Sequence, residues 1–195
     1  MALSITKLKN TLITPSYLLA LNNFIDMKIN NMKKNNTMPN QDILDDYISK
    51  YNIIAHRDKN IKMIYGSIWE FAIGTYGNYQ LINNTEFKNT GLDIINKTKK
   101  QVIELKNRTN TCNSGSKKAV IDNLTAFKKE HPEYTCIYAC VNENTNDKTK
   151  IGYISEVNKY VQMYTGMKLL KEIFNDDVDQ VLNVIRTAIK KHIEG

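Results

Sequence analysis

Apolar and polar positions along this chain follow two periods, and the change from one to the other marks its parts. Residues 1 to 14 show no firm period. Pro15-Ser16 then opens a stretch to about Lys34 in which Leu18, Leu19, Leu21, Phe24, Ile25 and Ile29 fall mostly on one helical face. Asn35 to Asn40 is a polar break. Gln41 to Tyr51 predicts a second helix carrying Ile43, Leu44, Tyr47 and Ile48. A third runs from about Asp58 to Tyr76, with Ile61, Ile64, Ile68, Phe71 and Ala72 inward.

The period then shortens. Tyr79 to Ile82 reads as a first strand, and two short apolar runs follow, Leu92 to Ile95 and Val102 to Lys106. Lys97 to Lys100 between them is a polar link fit for a hairpin. A helix is expected from near Ser116, where a small hydroxyl can cap it, through Ala119, Val120, Leu124 and Phe127 to Glu130. Tyr134 to Val141 is strongly strand-prone, and Ile151 to Ile154 is another strand beyond a solvated loop. The remainder predicts two helices, Glu156 to Phe174 and about Asp176 to Ile193. Asp176, Asp177 and Asp179 near the start of the second, and Lys190 and Lys191 near its end, suit the helix dipole. Helices, a mixed sheet with an inserted helix, then helices again describe an α/β sandwich. No repeat or linker divides it, so one domain is expected over 1–195: a helical part at 1–76, a sheet core at 77–155 and C-terminal helices at 156–195.

The two central runs carry the chemistry. Alternate strand residues share a face, so Glu104 and Lys106 point one way and Ile103 and Leu105 the other. If the runs pair, Asp93 comes beside Glu104. Two carboxylates and one ammonium in apolar surroundings leave one negative charge without compensation, which a divalent cation can offset. Hard oxygen ligands suit Mg²⁺, which keeps waters and commonly takes only one or two carboxylates. Taken bare, an acid–x–lysine triplet on a strand is equally the mark of a surface ion pair worth about 0–1 kcal/mol. Glu70, next to Trp69 on the preceding helix, adds a third acid; a solvated helix face would explain it as well.

The segment after Lys106 is dense in donors: Asn107, Arg108, Asn110, Asn113, Ser114, Ser116, Lys117 and Lys118. Such a loop feeding a helix start suits phosphate oxygens and base edges, with arginine reading guanine and asparagine adenine. An ordinary polar loop in an Asn-rich chain is the plainer account. The formal charge of +7 agrees with an anionic partner. His56, His131 and His192 are scattered without a metal-binding spacing, and no phosphate-binding glycine loop occurs. Cys136 and Cys140 lie four apart in an expected strand and pack on one side; three cysteines without a CxxC do not point to zinc or a disulfide framework. Tyr134, Tyr138, Tyr153 and Tyr160 are placed for packing rather than base stacking. With no signal peptide or membrane span in view, a cytoplasmic location is expected.

Asp93 followed by Glu104-Leu105-Lys106 resembles the PD-(D/E)XK nuclease motif, with Leu92-Asp93 where Pro-Asp would stand. More narrowly, VIELKNRTNTCNSGSKK resembles the ELKNKxNTxNSxS signature of the type II restriction endonucleases that cut GGNCC, and the stretch through Tyr160 to Gly166 is similar to that family's strand-to-helix segment. The resemblance covers about Gly91 to Phe174. It implies a restriction-endonuclease-like mixed sheet flanked by helices. It also implies Mg²⁺-dependent hydrolysis of double-stranded DNA to 5′-phosphate and 3′-hydroxyl ends. Asp93, Glu104 and the Leu105 carbonyl would hold the metal, Lys106 would orient the water, and Glu70 would be an accessory acid. A homodimer and a companion methyltransferase of the same specificity are implied as partners. A repair or structure-specific nuclease of the same fold is the alternative, or an inactive DNA-binding protein, against which Asp93, Glu104 and Lys106 all stand.

Overall fold

A computed structural model describes residues 13–34, 59–107, 114–141 and 152–193. The expected helix over Gln41 to Tyr51 lies outside the described residues. Helix α1 (Pro15–Lys34) and helix α2 (Lys59–Gly74) precede strand β1 (Tyr79–Leu81), then β2 (Ile94–Asn96) and β3 (Gln101–Lys106). Helix α3 (Ser114–Glu130) leads into β4 (Thr135–Cys140), a hairpin of β5 (Ile154–Asn158) and β6 (Val161–Thr165), helix α4 (Gly166–Phe174) and helix α5 (Val178–Ile193).

The six strands form one sheet in the order β1-β2-β3-β4-β6-β5. β3, β4 and β6 run parallel, and the pairs on either side are antiparallel. The parallel centre explains why β3 and β4 are apolar on both faces: each face is roofed by helices. On one face Ile94, Ile103, Leu105, Ile137 and Ala139 pack with α1, α2, α4 and α5. On the other Ile95, Val102, Cys136, Tyr138, Cys140 and Met163 pack beneath Leu124 and Phe127 of α3. Cys136 and Cys140 thus share the face that their spacing implied, and both are buried. This is an α/β architecture, a mixed six-stranded sheet flanked by helices, as the resemblance implies.

Three local expectations are corrected. The first is the helix over Glu156 to Phe174, whose first half is instead the β5–β6 hairpin; the helix begins only at Gly166. Val161, Met163 and Thr165 are buried at alternate positions because β6 pairs with β4. Gly166 takes φ 52°, a left-handed turn that breaks strand from helix at low cost. The second is the strand at Ile151 to Ile154, which begins at Ile154 and runs to Asn158. The third is Leu19, which is 62% exposed; the inward row of α1 is Tyr17, Leu21, Ile25 and Ile29.

Asp177 does more than face a helix dipole. It is buried and accepts a hydrogen bond from the Tyr76 hydroxyl at 2.7 Å, tying the segment after α2 to the turn before α5. Burial and that bond raise the Tyr76 hydroxyl's pKa far above a tyrosine's ordinary range. Of the four tyrosines expected to pack, Tyr134 and Tyr138 are buried, while Tyr153 and Tyr160 lie half-buried against the α3-side core. His131, half-buried, packs its ring against Phe87, Phe127 and Tyr134.

Candidate active site

The site grows out of the β2–β3 hairpin. Asn96 closes its turn, its Oδ1 accepting from the Lys99 amide at 2.9 Å. This turn sets the register Asn96 to Gln101, Ile95 to Val102 and Ile94 to Ile103. A slip of one residue would turn every side chain to the other face, so the turn decides what meets what. One step beyond the last pair, Asp93 lies across from Glu104. Its amide donates to the Ile103 carbonyl at 3.3 Å, and its own carbonyl accepts from the Ile82 amide at 2.8 Å. The Asp93 carboxylate turns back to the end of β3, where Oδ2 accepts the Leu105 amide at 2.7 Å. It takes the place of the strand partner that β2 no longer supplies. Gly91, at φ 70°, gives the chain the bend that leads into this position.

Glu104 is 4% exposed. Its Oε1 accepts from the Lys106 ammonium at 2.5 Å, while its Oε2 is buried with no hydrogen-bond partner among the described residues. Lys106 is on the same face of β3 and half-buried. Burial first, and then the charge of Asp93, push Glu104 up to about 7, against the pull of Lys106. Asp93 is raised by burial as well, although the Leu105 amide and Lys106 oppose it. Both carboxyl groups are thus shifted upward, by burial first and in Glu104 also by the neighbouring charge of Asp93.

Glu70, half-buried on α2, belongs to the same field. Burial and Asp93 raise its pKa; Lys106 and Lys28 lower it. Lys28 comes from α1, its ammonium 5.1 Å from the Phe24 ring, which stacks on Phe71 at 4.2 Å. Nothing in the sequence pointed to Lys28, because its nearness to Glu70 depends on how α1 crosses α2.

A cation suits these donors. The unpartnered Glu104 Oε2 is an acceptor in search of a positive charge, and Asp93 lies beside it. No group of three His, Cys, Asp or Glu side chains able to hold a metal occurs among the described residues. A metal would thus meet two carboxylates and complete its shell with backbone carbonyl, water and substrate oxygens, which is the habit of a hard cation such as Mg²⁺.

The donor-rich segment divides. Arg108, Asn110 and Asn113 lie outside the described residues, as does the side chain of Ser114, which opens α3. The helix therefore starts two residues before Ser116, which lies in its first turn. Asn107 is buried at the end of β3, whereas Ser116 and Lys118 are exposed. Lys117 is half-buried, its ammonium 5.7 Å from the centre of the Tyr138 ring. Tyr138 in turn pairs with Glu104 across the β3–β4 ladder. Its place beside the acids was not legible beforehand, since four-residue spacings within β4 do not tell which strand lies alongside.

The sequence matches a family model described as Eco47II restriction endonuclease over residues 11–191. No curated protein is similar enough to count as a match.

Proposed function

This chain belongs to the Eco47II restriction endonuclease family, and we propose that Asp93, Glu104 and Lys106 form its hydrolytic centre with Mg²⁺ as the cofactor. Membership makes it a type II site-specific deoxyribonuclease whose substrate is double-stranded DNA. The observation that carries the proposed centre is the buried, unpartnered Glu104 Oε2 next to the Asp93 carboxylate.

Asp93 and Glu104 would hold the metal. The Leu105 carbonyl would join them, because the N–H and C=O of one strand residue leave by the same edge and the Leu105 N–H already reaches Asp93. A divalent cation held by these residues would supply polarisation of the scissile phosphate and a lowered pKa of water. The protein's own groups do the rest. The Leu105 amide fixes the Asp93 carboxylate in one orientation. Lys106 gives up its bond to Glu104 in part, orients the attacking water, and stabilises the charge that develops on the phosphate oxygens. Water adds to phosphorus and the bond to the 3′-oxygen breaks, leaving a 5′-phosphate and a 3′-hydroxyl. Glu70 is an accessory acid that adds negative charge at the rim.

Site choice is assigned to the segment after β3, with Arg108, Asn110 and Asn113 toward base edges and Ser114, Ser116, Lys117 and Lys118 toward phosphates. Asn107, being buried, anchors the base of that segment. GGNCC is the proposed recognition sequence. A nearly palindromic site calls for two copies related by a two-fold axis, one centre for each strand, so the working form is a homodimer of single-domain chains. In its host cell's cytoplasm a methyltransferase of the same specificity would protect resident DNA. No helix among the described residues is long and apolar enough to cross a membrane.

The test is digestion of a mixed-sequence plasmid with Mg²⁺, followed by sequencing of fragment ends. Asp93→Ala and Lys106→Ala should each lower cleavage by at least about 10²–10³-fold while DNA binding persists. Wild-type cleavage by either variant removes the centre, and ends spread over unrelated sequences remove the assigned site.

A further inference from the structure

On the face of the sheet that carries Glu104 and Lys106, the next strand contributes Tyr138. It pairs with Glu104 in the parallel β3–β4 register, and residues so paired share a face. Adjacent strands lie about 4.8 Å apart, so ring and carboxylate are near neighbours. Tyr138 is fully buried, packed with Cys136, Cys140, Leu124 and Met163, and its ring cannot swing aside. Lys117, from the first turn of α3, lies over it with Nζ 5.7 Å from the ring centre.

The two lysines of this face are held in different ways. Lys106 is ion-paired with Glu104. Lys117 forms no ion pair among the described residues. An aromatic face attracts an ammonium without neutralising it, so the charge and its three N–H donors stay available to an anion. A lysine otherwise carries its charge on a flexible four-carbon stem, and gripping a phosphate costs it rotamer freedom. A rigid ring beneath the ammonium removes part of that cost before DNA arrives.

We propose that Tyr138 is a positioning residue that holds the Lys117 ammonium for a DNA phosphate oxygen beside the scissile group. This deepens the reading of the Asp93–Glu104–Lys106 centre and rests on it. Tyr138 touches neither DNA nor metal; it acts through Lys117.

The experiment measures kcat, KM and the salt dependence of DNA affinity for Lys117→Gln, Lys117→Arg, Tyr138→Leu, Tyr138→Phe and the double variant Lys117→Gln/Tyr138→Leu. Folding is checked by circular dichroism. Lys117→Gln should flatten the slope of log affinity against log salt by about 0.9, the loss of one phosphate contact. Tyr138→Leu should raise KM about 3- to 10-fold, and Tyr138→Phe, which keeps the ring, should restore most of it. The double variant should be no worse than Lys117→Gln alone, and Lys117→Arg, which can rest on the same ring, should recover most of the salt slope that Lys117→Gln loses. Independent, multiplying effects of the two sites overturn the proposal, as does equal damage from Phe and Leu at 138. If Tyr138→Leu does not fold, an unchanged salt slope in Lys117→Gln overturns it alone. Loss of cleavage in Asp93→Ala beside a wild-type Lys117→Gln sinks only this inference. Full cleavage by Asp93→Ala sinks the reading beneath it.

Discussion

Replacing Glu104 by glutamine isolates the electrostatic cost of the acid pair in the metal-free protein. Glu104 rises from an ordinary 4.5 to about 7 in the folded chain, mainly through burial and then through Asp93. Between those two values the unfolded chain has released the proton and the folded chain still holds it. The folded state therefore binds more protons, and stability falls as pH rises through that window. At about 1.36 kcal/mol for each pH unit the loss is on the order of 3 kcal/mol, complete by about pH 8 and absent below about pH 4.5. Asp93 is raised too and adds to it in the same direction. For a chain of this size one kcal/mol shifts Tm by roughly 2–4 °C, so the span is about 6–12 °C. Glutamine mimics the protonated acid: its carbonyl can accept from Lys106 and its amide can donate to Asp93. Thermal melts in EDTA from pH 5 to pH 8 should show Glu104→Gln gaining on the native protein by that amount. Adding Mg²⁺ at pH 8 to about 100 times its Kd should return about 2.7 kcal/mol to the native protein and far less to the variant. Two Tm curves that stay parallel across the range would refute the argument, since the burial of Glu104 would then have no titration behind it.

Other consequences can be checked more briefly. Arg108→Ala should broaden the set of sequences cut more than it weakens binding to non-specific DNA; an equal loss on all sequences would make Arg108 a phosphate contact. If about 6–10 phosphates are gripped, affinity should fall by roughly 10³–10⁵ between about 50 and 200 mM salt, and a flat response in a filter-binding titration would count against that number of contacts. Tyr76→Phe removes the 2.7 Å bond to buried Asp177 and should cost about 1–3 kcal/mol in urea unfolding, with cleavage kinetics unchanged below the transition. A neutral effect on stability would mean that this hydrogen bond contributes nothing net to the fold.

Two short apolar runs at 92–95 and 102–105, with the polar link Lys97 to Lys100 between them, already pointed to a hairpin with Glu104 and Lys106 on one face. From that hairpin the approach of Asp93 to Glu104 follows, because antiparallel neighbours close in sequence have few registers open to them. The helical rows of α2 and α3 were legible for the same reason: a period of 3.6 is written locally. The residues from 156 to 165 were not, since VNKYVQMYT places apolar side chains compatibly with either period, and only the open edge of β4 makes a strand of them. Leu19 and Tyr17 stand two apart on α1, and which of them faces inward depends on where α2 and α5 lie. Contacts between distant segments decided the rest: Lys28 within the field of Glu70, Tyr138 beside Glu104, and the Glu104 oxygen left without a partner. Each arises where strands or helices far apart in sequence are laid side by side, and residue spacing encodes the face a side chain takes but not the neighbour it meets there.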